Sequence, residues 1–146
     1  VIGLGVGRQH LKAYLESKYI DNDVAICDFD KNKLSTIGLE FSNVIQTQED
    51  HDILTDPNID LVCIASYDEF HYQQVMACLN NGKHVYVEKS ATYDLKSAKE
   101  MVASARQANQ KEVLVARRVE LDATLASARS MLGDSSLAGR ASLPVS

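Results

Sequence analysis

Short apolar runs alternate with amphipathic segments along most of the chain, and this alternation predicts strands separated by helices. We predict strands at residues 1–4, 24–28, 44–45, 61–65, 85–87 and 113–116. We predict helices at residues 7–17, 31–41, 50–54, 71–79, 95–107 and 124–132, and residues 141–145 could begin a further strand. The run at 61–65 is apolar without interruption, which is typical of a strand covered on both faces.

Strands that alternate with helices form βαβ units, in which parallel strands are joined by right-handed crossovers. We therefore expect an α/β fold with a doubly wound, mostly parallel, Rossmann-like sheet and helices on both faces. The chain has no internal repeat and no linker before about residue 120. Residues 1–119 are thus predicted to form one domain.

Composition narrows the class of protein. The chain has 146 residues, of which 45% are hydrophobic and 24% charged, as in an ordinary globular domain. The net charge of -5 and the lack of a Lys/Arg cluster argue against binding to nucleic acid. No apolar run reaches the roughly 20 residues that span a bilayer, and no basic-then-apolar leader is present. Three cysteines without metal-ligand spacing predict buried thiols in a reducing cytoplasm, and no metal site is expected.

The first candidate for chemistry is a glycine-rich loop between the first strand and the first helix. Gly3, Gly5 and Gly7 are three of only seven glycines in the chain. Such a loop allows backbone N–H groups to approach a phosphate at the positive end of a helix. A tight turn that serves only packing is the alternative explanation.

Asp28 strengthens the case for a dinucleotide, because it ends the second strand 23 residues after Gly5. A carboxylate there can accept hydrogen bonds from both ribose hydroxyls and repels a 2′-phosphate, so NAD is preferred and NADP is possible. The G-x-G-x-G spacing also suits S-adenosylmethionine-dependent methyltransferases, which likewise use an acid after the second strand. Glycines, strand and acid alone leave both cofactors open.

A second candidate lies at residues 82–89. Gly82 ends a helix, a strand follows, and Glu88 and Lys89 come at the carboxyl end of that strand. Ligands of open α/β sheets bind at this edge. A lysine there could hold a substrate oxygen or help a proton move, whereas an exposed ion pair is the alternative.

Together, the residues of these two candidates match the pattern of a known family. The chain resembles the N-terminal half of the glucose–fructose oxidoreductase / inositol dehydrogenase (Gfo/Idh/MocA) family. That family has a glycine loop followed by His, an acid after the second strand, D-x-V-x-I-A on the fourth, a His opening the next helix, and G-K-H-V-x-x-E-K-P. The matching positions here are residues 3–10, Asp28, residues 60–65, His71 and residues 82–89, and Arg117-Arg118 resembles the family's R-R-F-D.

The resemblance implies an NAD(P)-dependent oxidoreductase that transfers a hydride between the nicotinamide and a sugar, cyclitol or related polyol. The implied catalytic residue is Lys89, which would orient the reacting oxygen. The diphosphate would lie on Gly3, Gly5, Gly7 and the backbone near Val6 and Arg8, and the adenosine ribose on Asp28. The implied residues for the rest of the cofactor groove and the nicotinamide side are Ala65, Ser66, His71, Glu88 and Arg118.

Several features depart from the family pattern. The glycine loop is one residue short, Ser90 replaces the proline after the lysine, and residues 66–68 replace Thr-Pro-Asn. Residues 120–146 would supply only the connecting helix and first strand of a truncated substrate domain, so the chain alone is incomplete for turnover. A non-catalytic nucleotide-binding or assembly module is therefore the rival hypothesis. The full-length form is expected to be a homo-oligomer.

Other residues are expected to be structural. We expect His10 to have a structural or phosphate-edge role, and the acids Glu49, Asp50 and Asp52 to form a solvated helix start. Tyr67 and Tyr93, like the other tyrosines near the sheet edge, are expected to pack at the boundary of the core.

Overall fold

The computed structural model describes residues 1–20, 23–108 and, as backbone, 113–115. The helices in this part of the chain are α1 (Gly7–Leu15), α2 (Lys31–Glu40), α3 (Asp50–Thr55), α4 (Asp68–Asn80) and α5 (Leu95–Gln107). The strands are β1 (Val24–Cys27), β2 (Val44–Thr47), β3 (Leu61–Ile64), β4 (His84–Val87) and β5 (Val113–Val115). Strand and helix alternate from β1 onward, as the hydrophobic pattern predicts.

All pairings between these strands are parallel. β1 pairs with β2, and β4 lies between β3 and β5. The two ladders are joined by the opening segment (residues 1–3), because Ile2 forms parallel bridges with both Cys27 and Ile64. The resulting order is β2, β1, opening segment, β3, β4, β5. The order reverses beside the opening segment, and this is the place where open α/β sheets bind their ligands.

Strands β1, β3 and β4 bury side chains on both faces, which confirms the expected doubly wound fold. Cys63 and Tyr86 point to one face, where they pack with residues of α1 and α2 such as Leu11 and Leu34. The neighbouring strand residues point to the other face, which is covered by α3, α4 and α5. These neighbours are Val62, Ile64, Val85 and Val87. Alternation with a period of two therefore fills two separate cores.

The largest differences from the predicted boundaries are in the first strand and at the start of α4, and the other described elements differ by at most two residues at either end. The first strand, predicted at residues 1–4, is reduced to the bridges of Ile2, because Gly3 has a φ of +85° and turns the chain out of the sheet. Helix α4 begins at Asp68 rather than at His71. Asp68 and Glu69 in its first turn favour the positive end of the helix, so the helix extends further toward its N-terminus. The elements predicted at residues 124–132 and 141–145 lie outside the described residues.

Candidate functional site

A cavity of about 660 Å³ opens at the carboxyl edge of the sheet, beside the opening segment. Its walls come from four loops, which follow the opening segment, β1, β2 and β3. These loops contribute residues 2–6, 27–29, 48–50 and 65–67, and side chains of α2 and α4 complete the lining. The volume lies within the range of small-molecule sites.

The three glycines of the opening loop serve different purposes. A side chain on Gly3 would overlap the Ala65 carbonyl, and one on Gly7 would lie 3.0 Å from Val1 Cγ1 and 3.2 Å from Ala65 Cβ. These two glycines therefore let the loop and α1 pack against β3. A side chain on Gly5 would meet no protein atom within 4 Å, and Gly5 lines the cavity. Packing accounts for Gly3 and Gly7 but leaves the absence of a side chain at Gly5 unexplained.

The N-terminus of α1 adjoins the same loop. Val6, the residue that precedes the helix, supplies no side-chain hydrogen bond to it, and the first turn carries no acid. By contrast, Asp30 caps α2 and Asp94 caps α5 with side-chain acceptors. The first N–H groups of a helix have no partner within the helix and attract anions. The start of α1 can therefore receive an anionic group from the cavity side.

Asp28 is buried in the cavity wall, with 4% of its surface exposed. Its Oδ2 accepts hydrogen bonds from the Leu4 amide at 2.8 Å and from Lys33 Nζ at 3.1 Å, and its Oδ1 accepts one from the Asp30 amide at 2.9 Å. Burial alone raises the pKa of Asp28, but the two amides and the ammonium outweigh burial and lower it below its ordinary value. Asp28 is therefore ionised at neutral pH and fixes the glycine loop to β1.

The charge of the cavity lining is mainly negative. Lys33 lines it together with Asp28 and three further acids, Glu49, Asp50 and Glu69. The Lys33 ammonium lies 3.1 Å from the Asp28 carboxylate, so these two charges offset each other. The remaining carboxylates disfavour an additional phosphate group.

A chain of side-chain hydrogen bonds closes the side of the cavity nearest α3 and α4. Ser66 Oγ donates to Gln74 Oε1 at 2.6 Å, and Gln74 Nε2 donates to Asp50 Oδ2 at 2.8 Å. All three residues line the cavity, and Gln74 is 5% exposed. The acids form the start of α3 as expected, and Glu49 and Asp52 are exposed, but Asp50 is half-buried and its carboxylate anchors the buried amide of Gln74.

Apolar side chains form the mouth of the cavity. Val6, Phe29, Tyr67 and Phe70 line it, and their exposed fractions are 55%, 67%, 61% and 44%. The rings of Phe29 and Tyr67 have centroids 5.9 Å apart and planes inclined by 33°. The expectation that the tyrosines near the sheet edge pack at the core boundary is confirmed for Tyr72 and Tyr86. It is wrong for Tyr67 and for Tyr93, which is 73% exposed.

A second polar cluster lies after β4, outside the lining of the cavity. His10 Nε2 donates to Glu88 Oε1 at 2.7 Å, and the imidazole packs on Tyr86 with ring centroids 5.1 Å apart. His10 is 4% exposed, and its Nδ1 has no hydrogen-bond partner among the described residues. Lys89 follows with an exposed side chain. His10 thus ties α1 to the end of β4, in agreement with its expected structural role.

His71 lies in α4 with no exposed surface, and both of its ring nitrogens face carbonyl oxygens. Nδ1 lies 2.9 Å from the Ser90 carbonyl, and Nε2 lies 3.1 Å from the Ser66 carbonyl. The ring therefore links the loop after β3 to the loop after β4. His71 does not line the cavity itself, so any contribution to a cofactor groove comes through these loops.

The guanidinium of Arg8 is directed away from the cavity. Its Nη2 donates to Glu40 Oε1 at 2.6 Å and to Glu40 Oε2 at 2.8 Å. Arg8 is absent from the cavity lining. Only the backbone of Arg8, in the first turn of α1, is placed toward the glycine loop. Its predicted contact with a diphosphate is therefore restricted to the backbone.

Other groups raised by the sequence have structural roles or lie elsewhere. Burial raises the pKa of Cys27, Cys63 and Cys78 to about 12 each, so these free thiols are neutral and unreactive at neutral pH. Among the described residues, no group of His, Cys, Asp or Glu has the arrangement of a metal site. No helix in this part of the chain is long and apolar enough to cross a bilayer. Arg118 lies outside the described residues.

The structure thus brings Gly3, Gly5, Val6, Asp28, Ala65 and Ser66 together around one cavity, and places Glu88 and Lys89 at the next strand end. Sequence reasoning missed Lys33, Phe29 and Gln74. The position of Lys33 could be inferred from the sequence. Asp30 caps α2, and Lys33 lies in the first turn of that helix, close enough for its ammonium to reach back to Asp28. Phe29 and Gln74 carry no comparable local signal, since Tyr67, which lies beside the Phe29 ring, and Asp50, which binds the Gln74 amide, are distant from them in sequence.

Known proteins are similar to this chain in both sequence and fold. The profile of an oxidoreductase family with an NAD-binding Rossmann fold matches residues 1–116. The chain is 28% identical over 117 residues to inositol 2-dehydrogenase/D-chiro-inositol 3-dehydrogenase of Lactiplantibacillus plantarum, covering 79% of this chain and 33% of that protein. It is 30% identical over 112 residues to myo-inositol 2-dehydrogenase of Thermotoga maritima, covering 75% and 33%. A probable dehydrogenase from Thermotoga maritima has a TM-score of 0.70 at 25% identity, covering 78% of this chain and 34% of that one.

The chain spans about a third of the length of these curated relatives. The match at residues 1–116 contains the whole of the described cavity and the cluster after β4. The similarity therefore concerns the part of the relatives that carries the Rossmann fold.

Proposed function

Given that this chain belongs to the Gfo/Idh/MocA family of oxidoreductases with an NAD-binding Rossmann fold, we propose that the cavity beside the opening segment holds the nucleotide cofactor. The observation that carries this proposal is Gly5, whose missing side chain leaves open space at the cavity wall without any packing reason. A diphosphate fills such a space, because backbone N–H groups can approach it closely only where no Cβ intervenes.

The residues around the cavity fit the parts of the cofactor. The amides of Gly5, Val6 and the first turn of α1 would hold the diphosphate, with Gly3 and Gly7 shaping the loop. Asp28 would accept from the hydroxyls of the adenosine ribose, and Ala65 and Ser66 would line the groove. The acidic lining supports NAD(H) over NADP(H), since a 2′-phosphate would face several carboxylates.

We place the reacting end of the cofactor near the cluster after β4. When bound, the nicotinamide ring supplies the carbon that gives or takes a hydride. Glu88 would contact the nicotinamide ribose from this strand end, and Arg118, which lies outside the described residues, is proposed as a further cofactor-binding residue. The exposed ammonium of Lys89 would donate a hydrogen bond to the reacting oxygen of the substrate and so orient it. His10 would keep Glu88 in place through its hydrogen bond.

The proposed substrate is a polyol such as inositol. The two curated relatives are named as inositol dehydrogenases, and the reaction would be hydride transfer between a CH–OH carbon and the nicotinamide. We assign residues 1–119 to the dinucleotide-binding domain and residues 120–146 to the connection to a substrate domain. We also propose a reducing compartment, the cytoplasm, because all three cysteines are free thiols. The predicted homo-oligomer stays a prediction.

The test is a titration of the chain with NADH, followed by the fluorescence of the reduced nicotinamide itself and by calorimetry. We expect saturable binding with a dissociation constant below about 1 mM, the usual upper end for enzyme ligands. ADP-ribose should compete, because it carries the adenosine ribose and the diphosphate. If NADH does not bind to the folded chain, or if S-adenosylmethionine raises its melting temperature and NADH does not, the proposal is wrong.

A further inference from the structure

The exposed apolar residues of this molecule are concentrated at one place. Four of the nine large apolar side chains that the described residues leave exposed line the mouth of the cavity. Exposure of an apolar side chain to water is unfavourable, so a cluster of such side chains around a cavity indicates a ligand surface. The two with the greatest exposure in this cluster are the aromatic residues Phe29 and Tyr67.

These two rings lie next to each other, although they come from loops on opposite sides of the opening segment. Phe29 follows β1 and Tyr67 precedes α4, yet their centroids are 5.9 Å apart and their planes are inclined by 33°. A flat ring between two faces needs a separation of about 7 Å, since carbon atoms pack at about 3.5 Å on each side. A side-chain rotation that moves either ring by about one ångström and brings the two planes parallel is enough to admit a planar base.

The backbone that carries the rings is held more firmly than the rings themselves. The Phe29 carbonyl accepts a hydrogen bond from Gln48 Nε2 at 3.1 Å, and the Lys33 ammonium lies 5.9 Å from the Phe29 ring centroid. Tyr67 is followed directly by α4 and by the anchored His71. Fixed backbones with exposed rings suit a clamp that adjusts by side-chain rotation alone.

The position of this pair selects one of the two ring systems of the cofactor. Phe29 is adjacent to Asp28, which the proposed function assigns to the adenosine ribose, so the base attached to that ribose would lie within reach of the ring. Glu88 and Lys89, assigned to the nicotinamide end, do not line the cavity. The adenine is therefore the ring that meets the aromatic pair.

We propose that Phe29 and Tyr67 form an adenine clamp, in which the base of the cofactor stacks between the two side chains at the cavity mouth. This inference rests on the proposed function and adds a determinant of affinity that neither the glycine loop nor Asp28 supplies. The clamp recognises a planar purine by its faces, so it contributes equally to NADH, ADP-ribose and AMP and contributes nothing to nicotinamide mononucleotide.

The experiment compares three probes, namely NADH, AMP and reduced nicotinamide mononucleotide, on the variants Phe29→Ala and Tyr67→Ala. We expect each variant to raise the dissociation constants of NADH and AMP by about 5- to 20-fold, as for loss of one base–aromatic stack. The constant of the mononucleotide should stay the same. Tyr67→Phe keeps the ring and should keep the affinity, and Tyr93→Ala, an exposed tyrosine outside the cavity, is the matched control.

A second readout follows the tyrosine directly. Stacking of AMP on Tyr67 should change the near-ultraviolet absorbance of this tyrosine. The binding difference spectrum of the wild type should therefore contain a tyrosine component that the spectrum of Tyr67→Ala lacks. The clamp is refuted if both alanine variants bind NADH and AMP as the wild type does, or if they weaken the mononucleotide instead, which would place the nicotinamide there. Failure of the proposed function is a different result, in which wild type binds none of the three probes.

Discussion

Gly3 has a φ of +85°, and its α-carbon lies against the peptide between Ala65 and Ser66. Alanine at this position would adopt a strained backbone and overlap the Ala65 carbonyl. We predict that Gly3→Ala lowers the free energy of unfolding by about 3 kcal/mol, or prevents folding. Urea denaturation measures this change, and the companion variant Gly7→Ala should cost less, because only side-chain atoms lie near its Cβ. A Gly3→Ala variant as stable as wild type would show that the loop can move away from β3.

Asp28 makes the stability of the fold dependent on pH. Its folded-state pKa is lowered, so its ionised form stabilises the fold above the ordinary carboxyl pKa of about 3.9, and this contribution is lost as the pH falls through the lower folded-state value. We predict that Asp28→Asn is about 1–3 kcal/mol less stable than wild type at pH 7, the range for hydrogen bonds to a charged group.

A comparison of wild type with Asp28→Asn at lower pH separates the effect of the carboxylate charge from the effect of the side-chain shape. The stability difference between wild type and Asp28→Asn should narrow progressively below about pH 4, because wild type then loses its carboxylate. Denaturation curves at pH 7, 5, 4 and 3 measure it, with the exposed Asp60→Asn as control. A difference that stays constant over this range would mean that the hydrogen bonds of the Asp28 carboxylate do not depend on its charge.

Two lysines lie at opposite ends of β4 and are distinguished by their burial. Lys83 is 2% exposed, and its ammonium donates hydrogen bonds to the carbonyl of Asp56 and, at 2.8 Å, to that of Ile59. We predict that Lys83→Met destabilises the fold by about 2–4 kcal/mol, since two buried carbonyls lose their donor. The exposed Lys89→Met should change stability by less than about 0.5 kcal/mol. Thermal and urea unfolding measure both variants, and equal stabilities would contradict the anchoring role of Lys83.

At the level of elements, the sequence predicts most of the fold, because the strands are short apolar runs and the helices have apolar residues at helical spacing. The first strand is the exception. A positive φ at Gly3 ends it after a single bridged residue, and residues 1–4 do not reveal where the chain leaves the sheet. The early start of α4 was also missed, since the apolar periodicity that marks the helix begins only after Asp68 and Glu69.

For the whole molecule, the sheet topology brings residues that are far apart in the sequence together at one site. The glycine loop, Asp28 and Ser66 follow three strands that are neighbours in the sheet, so a sequence reading could bring them together. The clamp residues Phe29 and Tyr67, and the bond from Gln74 to Asp50, depend on where loops and helices pack across 24 or more residues. Such contacts follow from tertiary packing, which a local pattern does not encode.

The most direct test of the account is NADH binding to Gly5→Ala. The added methyl group meets no protein atom within 4 Å, so the melting temperature without ligand should stay within about 2 °C of wild type. The methyl group occupies the space assigned to the diphosphate, and the dissociation constant for NADH should rise at least about tenfold. If Gly5→Ala binds NADH as tightly as wild type, the diphosphate does not lie on this loop, and the central claim is contradicted.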